Sequence, residues 1–241
     1  MLGCSHAEHI NQEAWDWAMK IRHSLKNPFV VHLGDYTDTT AFMGNAGHNA
    51  LGSPIGPDIE KGLAHLTEME PSAVINGNHD QRPYDFLDHP DAKIAYAAKQ
   101  VVAMMENHIA GLGVKAENHI MYEGIQSILR LGPAALTHGT IYGQNAVVKM
   151  AEMYGTEFVR FVFFVHTHVC KIATSATYFP CTAFNIGSMI MPKEAKYAGR
   201  RPNTFAWQNA CVSGEYCEDR LEPVLHLFDR KVEPMQRAVG Q

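Results

Sequence analysis

Four short apolar runs in this chain each lead into a residue that can bind a cation or carry a proton. Phe29-Val30-Val31-His32-Leu33 runs into Gly34-Asp35, and Ala73-Val74-Ile75 into Asn76-Gly77-Asn78-His79-Asp80. Ala134-Ala135-Leu136 runs into Thr137-His138, and the stretch from Val159 to Val165 into His166-Thr167-His168. Apolar runs this short, bounded by turn residues, read as buried strands rather than helices. In open α/β sheets the site is built beyond the carboxyl ends of the strands, which is where these polar residues fall.

The segments between the runs are helical in pattern. Asn11 to Leu25 places Ala14, Ala18, Ile21 and Leu25 on one face, and Pro28 ends it. Asp58 to Met69 is a second helix. Pro90 to Ala110 is the longest, with Ile94, Ala98, Val101 and Met105 on one stripe and Met104 and Met105 read as core filler. Asn145 to Tyr154 is another, and Thr39 to Pro57, rich in Gly, Asn and small residues, is a loop. Later the pattern turns to strands: Ile128 to Leu131, Lys171 to Tyr178, Thr182 to Asn185, Phe205 to Val212 and Leu221 to Phe228, with Trp207 packed in the tail sheet. Alternating strand and helix followed mostly by strands predicts α/β with two packed sheets. With no repeat or linker, 241 residues predict one domain over 1–241.

Charge and cysteine usage narrow the setting. A net charge of −5 gives no broad footprint for duplex DNA, although ions can neutralise a phosphate locally. Five cysteines, an odd number without CxxC spacing, suggest a reducing compartment and no disulfide framework, hence a cytoplasmic protein. Met1-Leu2-Gly3-Cys4 has no apolar segment before it, so a lipoprotein signal does not fit. Val159 to Val165 is too short to span a bilayer, and no membrane association is expected.

The chemistry is that of metal ligands with a proton donor beside them. A carboxylate at Asp35 can bridge two cations, because each oxygen can take a different ion. Asp38 reads as support for that site or as a loop cap. Asn78 offers a neutral oxygen. His79, next to it, projects differently and can protonate a leaving group, with Asp80 expected to orient its ring. His138 alone would read as a satisfied strand-end histidine. His166 and His168 are two apart, so on extended backbone both point the same way. Phe184-Asn185-Ile186-Gly187-Ser188 reads as a tight turn closing the site.

The ordered series Gly34-Asp35-Tyr36-Thr37-Asp38, Asn76 to Asp80, Thr137-His138-Gly139, His166-Thr167-His168 and Asn185 to Ser188 resembles the calcineurin-like metallophosphoesterase family, from about Cys4 to Ser188. The resemblance implies a four-layer αββα sandwich, two mixed sheets packed face to face with flanking helices. It implies two divalent ions, with Mn, Zn or Fe the expected metals. Asp35 would bridge them, with Asn78, His138 and His166 on one ion and His168 on the other. It implies hydrolysis of phosphate esters by a hydroxide generated between the ions, with His79 as general acid.

Two positions depart from the family pattern. Where the family has Asp-x-His, this chain reads Cys4-Ser5-His6. His6 fits, and Cys4 is either a soft thiolate ligand favouring zinc or iron over magnesium or a buried thiol that leaves one ion loosely held. Glu8 and His9 are nearby alternatives, and the short run before Cys4 would suit a chain starting internally. Val165 stands where the family has Gly. Arg82 and Arg200, with Arg201 beside Tyr197, are expected to clamp an ester oxygen; His48 is a weaker expectation. The substrate is thus a phosphate ester. A nuclease remains an alternative that the acidic charge disfavours, as does a catalytically impaired scaffold suggested by Cys4. Oligomeric state is not legible.

Overall fold

The computed structural model describes residues 1–43, 54–191 and 206–228. His48, Tyr197, Arg200 and Arg201 lie outside the described residues, as does the start of the strand expected at Phe205.

Described residues form five α-helices and ten strands: α1 Gln12–Ser24, β1 Val31–His32, α2 Ile55–Met69, β2 Ala73–Ile75, α3 Asn78–Asp85, α4 Ala92–Gly111, β3 His119–Ile120, β4 Leu129–Leu131, β5 Ala134–Leu136, α5 Ala146–Tyr154, β6 Phe161–Phe164, β7 Cys170–Thr174, β8 Thr182–Ile186, β9 Ala210–Tyr216 and β10 Leu221–Leu227. In the first sheet β1, β2 and β3 run parallel. Leu2 bridges His32 in parallel, and Met1 exchanges backbone hydrogen bonds with Val212. The N-terminal segment therefore joins the β9–β10 antiparallel pair to the parallel strands. The second sheet has the order β4-β5-β6-β8-β7, with β5, β6 and β8 parallel and the two edge strands antiparallel.

The two mixed sheets face each other across one apolar layer. Leu33, Ala73 and Ile75 of the first meet Leu136, Phe163, Val165 and Ile186 of the second, all fully buried. Burying a side chain such as Phe163 contributes roughly 1.5–3 kcal/mol. On the outer face of the first sheet, α2 and α4 bury Ile59, Leu66 and Met105 with Val74. On the outer face of the second, α5 buries Val147, Met150 and Ala151 against Ala135, Val162 and Phe164. This is the expected αββα sandwich. Because strands β1, β2, β5 and β6 are buried on both faces, they carry no polar alternation, which is why their sequences read as short apolar runs.

Several local expectations need correction. Asn78–Asp85 is helical, not merely a turn, because Asp80 caps the segment by accepting the Gly77 N–H at 2.8 Å. The buried stripe of α4 begins at Ala98; Ile94 is a turn earlier and Met104 faces outward, 37% and 45% exposed. β7 ends at Thr174 because Thr174 pairs with Thr182, leaving residues 175–181 to make the connection. Phe184, Asn185 and Ile186 belong to β8, and the turn begins at Gly187, whose φ of +86° suits glycine. Trp207 lies outside the tail strands and packs elsewhere, as described next.

Candidate metal centre

Beyond the carboxyl ends of β1, β2, β5 and β6, Asp35, Asn78, His138 and His166 converge, joined by Cys4 and His6 from the N-terminal segment and by His168. Asp35 lies at the middle. Its Oδ2 is 3.3 Å from His6 Nε2, 3.3 Å from His138 Nε2 and 3.9 Å from Cys4 Sγ. Three donor sets result, and within each the ligand atoms lie within 4.8 Å of one another: two share Asp35, Cys4 with His6, Asp35 and His168, and Asp35 with His138 and His166, while the third joins His6 to Asp38 and His79. Asn78 Oδ1 adds an amide oxygen 3.2 Å from His138 Nε2.

Glycine makes the convergence sterically possible. A Cβ on Gly77 would fall 2.6 Å from the Asp35 nitrogen and 2.7 Å from His138 Cε1. One on Gly34, itself at φ +97°, would fall 2.5 Å from the Gly77 nitrogen. The donors themselves sit on left-handed backbone: Cys4, His6, Asp35, His166 and His168 have φ of 50°, 45°, 55°, 69° and 63°. Such conformations cost about 1–3 kcal/mol each outside glycine and persist only where neighbours over-determine them. Here the Cys4 N–H donates to Gly34 O at 2.7 Å while its carbonyl accepts from Met189 N–H, and the His6 N–H donates to Asp35 O at 2.8 Å. His166 and His168 are therefore not aligned by extended backbone, as their spacing suggested. Each leaves its own left-handed residue, and they enter different donor sets. Val165, before them, has no positive φ and is buried between the sheets, so its branched side chain is accommodated.

Hydrogen bonds select the ring nitrogens. His6 Nδ1 lies 3.1 Å from Asp38 Oδ1, and His138 Nδ1 lies 2.8 Å from Leu33 O, so each Nδ1–H is spent on an oxygen and each Nε2 lone pair faces the centre. Burial, then His79, lowers the pKa of His6 against the pull of Asp35 and Asp38. Burial and His138 bring that of His166 to about 3, and burial with His6 puts His168 well below the ordinary value. Neutral imidazole is the form that ligates. Burial alone would raise the Asp35 carboxyl; the imidazoles of His138, His79 and His6 outweigh it and hold the group well below the usual range. Burial and the neighbouring Asp35 raise the Cys4 thiol, against the N–H that His166 donates to its sulfur at 3.2 Å.

Divalent metal fits this arrangement. His6 Nε2, His166 Nε2 and His168 Nδ1 are all buried without a hydrogen-bond partner, an arrangement that is expensive unless something else accepts those lone pairs. Cys4 and His6 with His168 could hold one ion, Asn78, His138 and His166 the other, with Asp35 shared.

Around the donors, two expected roles move. Asp80 does not touch the His79 ring. It accepts hydrogen bonds from the Asp35, Thr37 and Gly77 N–H groups and the Thr37 hydroxyl, so it fixes the Asp35 turn. Burial and the Asp35 charge push its carboxyl up to about 7. The ring of His79 is held instead by Asp38, with Nδ1 3.0 Å from Oδ1 and 2.9 Å from the backbone carbonyl. Burial opposes the charged form of His79, but Asp35 and Asp38 prevail and its pKa is raised. Arg82 donates from Nη1 to Asp38 O at 2.7 Å, so it props that loop rather than standing open as a clamp. Glu8 is exposed and belongs to none of the donor sets, while His9 Nε2 lies 3.6 Å from Asp38 Oδ2.

Three contributors were not read from the sequence. Asp58, in the first turn of α2, accepts from the Asp38 and Thr39 N–H groups and anchors their loop; an acidic residue at a helix start carries no sign of that. Tyr142, 69% exposed, lies with its ring 4.1 Å from His166, and Trp207 meets His168 edge-on at 4.2 Å. Both wall the centre, and neither spacing nor periodicity announced them.

A buried cluster of this kind at the strand ends of an αββα sandwich is a candidate seat for divalent metal ions. Residues 2–170 match the calcineurin-like phosphoesterase family, and the chain belongs to it. The match takes in every donor named above and ends at the first residue of β7. A comparison with curated proteins finds no significant match. No helix among the described residues is long and apolar enough to cross a membrane.

Proposed function

We propose that the chain hydrolyses phosphate esters at a centre of two divalent ions, manganese, zinc or iron, with His79 as general acid. The carrying observation is that six donors from four separate segments meet around one carboxylate, Asp35, and leave three buried imidazole nitrogens without partners. Ions bound there supply Lewis acidity toward the phosphoryl oxygens and lower the pKa of water. Cys4, His6 and His168 would hold one ion and Asn78, His138 and His166 the other, with Asp35 between the two sets.

His79 is fixed through Nδ1 by Asp38, which favours a protonated ring and leaves Nε2 for the departing oxygen. Asp80 acts behind it by holding the turn that carries Asp35. Arg82 contributes to substrate binding through the loop it braces, and Arg200 is proposed as a phosphate contact. We read the substrate as a small mono- or diester acting in the cytoplasm. The net charge of −5 supports that over a nuclease.

Purified protein loaded with manganese, zinc or ferrous iron is to be assayed on p-nitrophenyl phosphate, bis-p-nitrophenyl phosphate and a single-stranded oligonucleotide. Hydrolysis of either nitrophenyl ester is expected. Full metal occupancy with none of the three turned over would leave the scaffold reading in its place.

A further inference from the structure

The two halves of the centre are built from different chemistry. One offers only nitrogen and oxygen donors: Asp35, His138 and His166, with the Asn78 amide beside them. The other offers a sulfur, two imidazoles and the shared carboxylate, from Cys4, His6, His168 and Asp35, all buried. That second set already numbers four, the full complement of a closed tetrahedral site. Its sulfur is aimed, not incidental. Cys4 is held in left-handed backbone at φ 50° by Gly34 on one side and Met189 on the other, and its Sγ accepts the His166 N–H at 3.2 Å. His6 Nε2 and His168 Nδ1 are the unpartnered nitrogens of the same half.

From this we infer that the centre is unequal: the Cys4 half is a closed, sulfur-ligated seat that retains one thiophilic ion, zinc, ferrous iron or cobalt, while the nitrogen and oxygen half exchanges its ion readily. Softness of the ligand set separates the halves. Thiolate selects zinc, iron and cobalt over magnesium and manganese, whereas the other half accepts the harder ions. On binding, the sulfur–metal bond forms as the thiol proton passes to solvent. The inference rests on the two-ion reading of the site but not on the reaction.

The test is a cobalt titration of the stripped full-length protein. A sulfur-to-cobalt charge-transfer band in the near ultraviolet should rise with the first equivalent and stop there. The second equivalent should add only the weak visible bands. In Cys4→Ser the charge-transfer band should vanish while visible bands from the other half persist. The first-equivalent zinc affinity should fall by at least about 100-fold, the upper end of what losing even an outer hydrogen-bond partner costs. Wild-type protein needs no variant for a second readout: after dialysis against a chelator, one zinc should remain, with a sulfur neighbour at about 2.3 Å by X-ray absorption.

Cobalt bound without a charge-transfer band, a band unchanged in Cys4→Ser, or two ions leaving together would each overturn the inference. Retention of one sulfur-bound ion in a protein that hydrolyses no ester would uphold it while sinking the proposed function.

Discussion

Buried histidines occur in two kinds of place in this protein. His32 on β1 and His65 on α2 are as deeply enclosed as the histidines of the centre, and burial lowers their pKa to about 3 and about 4. Yet His32 has both ring nitrogens occupied, accepting from the Gly34 N–H at 3.2 Å and meeting Ser5 Oγ at 3.3 Å. His65 has one nitrogen without a hydrogen bond and lies tilted over Trp15 at 4.9 Å. Neither residue has a positive φ. A single unsatisfied nitrogen costs about 1–3 kcal/mol, which a fold can carry. What distinguishes the centre is convergence: three such nitrogens around one carboxylate, on backbone held in a costly conformation. Depressed pKa and burial alone would not have separated the two.

Removing the shared carboxylate should break the contrast most completely. Asp35→Ala is expected to empty both halves and to cut turnover at least about 1,000-fold, more than losing a single charge-stabilising donor usually costs. Metal analysis of the folded variant checks it. The matched control, His32→Gln, should keep both ions, and if Asp35→Ala also kept them the shared position would be wrong.

A finer separation lies within the centre, between holding ions and moving protons. His79→Asn should lower turnover about 100- to 10,000-fold with metal content unchanged. Asp38→Asn should lower it less, because Asp38 acts by orienting the His79 ring. Metal analysis beside initial rates reads both; equal loss of metal in His79→Asn would make that residue a ligand instead.

How far the sequence foresaw this differs by kind of feature. The strands β2 and β5 were legible to the residue, because a strand buried on both faces must be an apolar run ended by its turn. The convergence of Asp35, Asn78, His138, His166 and His168 was legible because ligand chemistry restricts residue type and these sat just past such runs, whereas Cys4 and His6 follow none. The partners of those donors were not. Asp80 is adjacent in sequence to His79 and was read as its orienter, but the helix beginning at Asn78 turns the two apart, and Asp38, 41 residues upstream, occupies that role. For the same reason Asp58 went unread and Trp207 was placed in the tail sheet instead of beside His168. Their contacts depend on where loops pack, and that carries no period in the chain. Ile94 and Met104 show the converse limit, since a helical stripe names a face but not how much of its length is covered.

The close approach at Gly77 supplies a stability test. Gly77→Ala puts its Cβ against the Asp35 backbone and the His138 ring, neither of which is a flexible chain end, so a loss of about 3 kcal/mol is expected, the upper end for overpacking. Gly111→Ala, at the last residue of α4 with nothing within 4 Å, should instead gain about 0.5–1 kcal/mol. Denaturant midpoints of the metal-free proteins measure both. Equal effects would mean that the turn carrying Asp35 is looser than its contacts suggest.

A smaller loss than that of Gly77→Ala concerns a histidine that the centre does not use. His65 has a pKa of about 4 in the folded protein through burial and the charge of Lys61, against about 6.5 in an unfolded chain. Below pH 6.5 the unfolded chain therefore takes up the proton that the folded one refuses. Stability is intact above that pH and is lost as pH falls from 6.5 through 4. At pH 5 the loss should be about 2 kcal/mol relative to pH 7.5. His65→Leu should remove that part of the slope, and what persists at lower pH should then come from the other buried histidines, His32 and His166, whose protons are refused down to about pH 3, with His6 and His168. The measurement belongs in chelator, so that proton competition for the metal ligands does not enter. An unaltered slope in His65→Leu would mean that its ring reaches water. His65 would then no longer be a case of deep burial without ligation, and the contrast with the centre would rest on His32 alone.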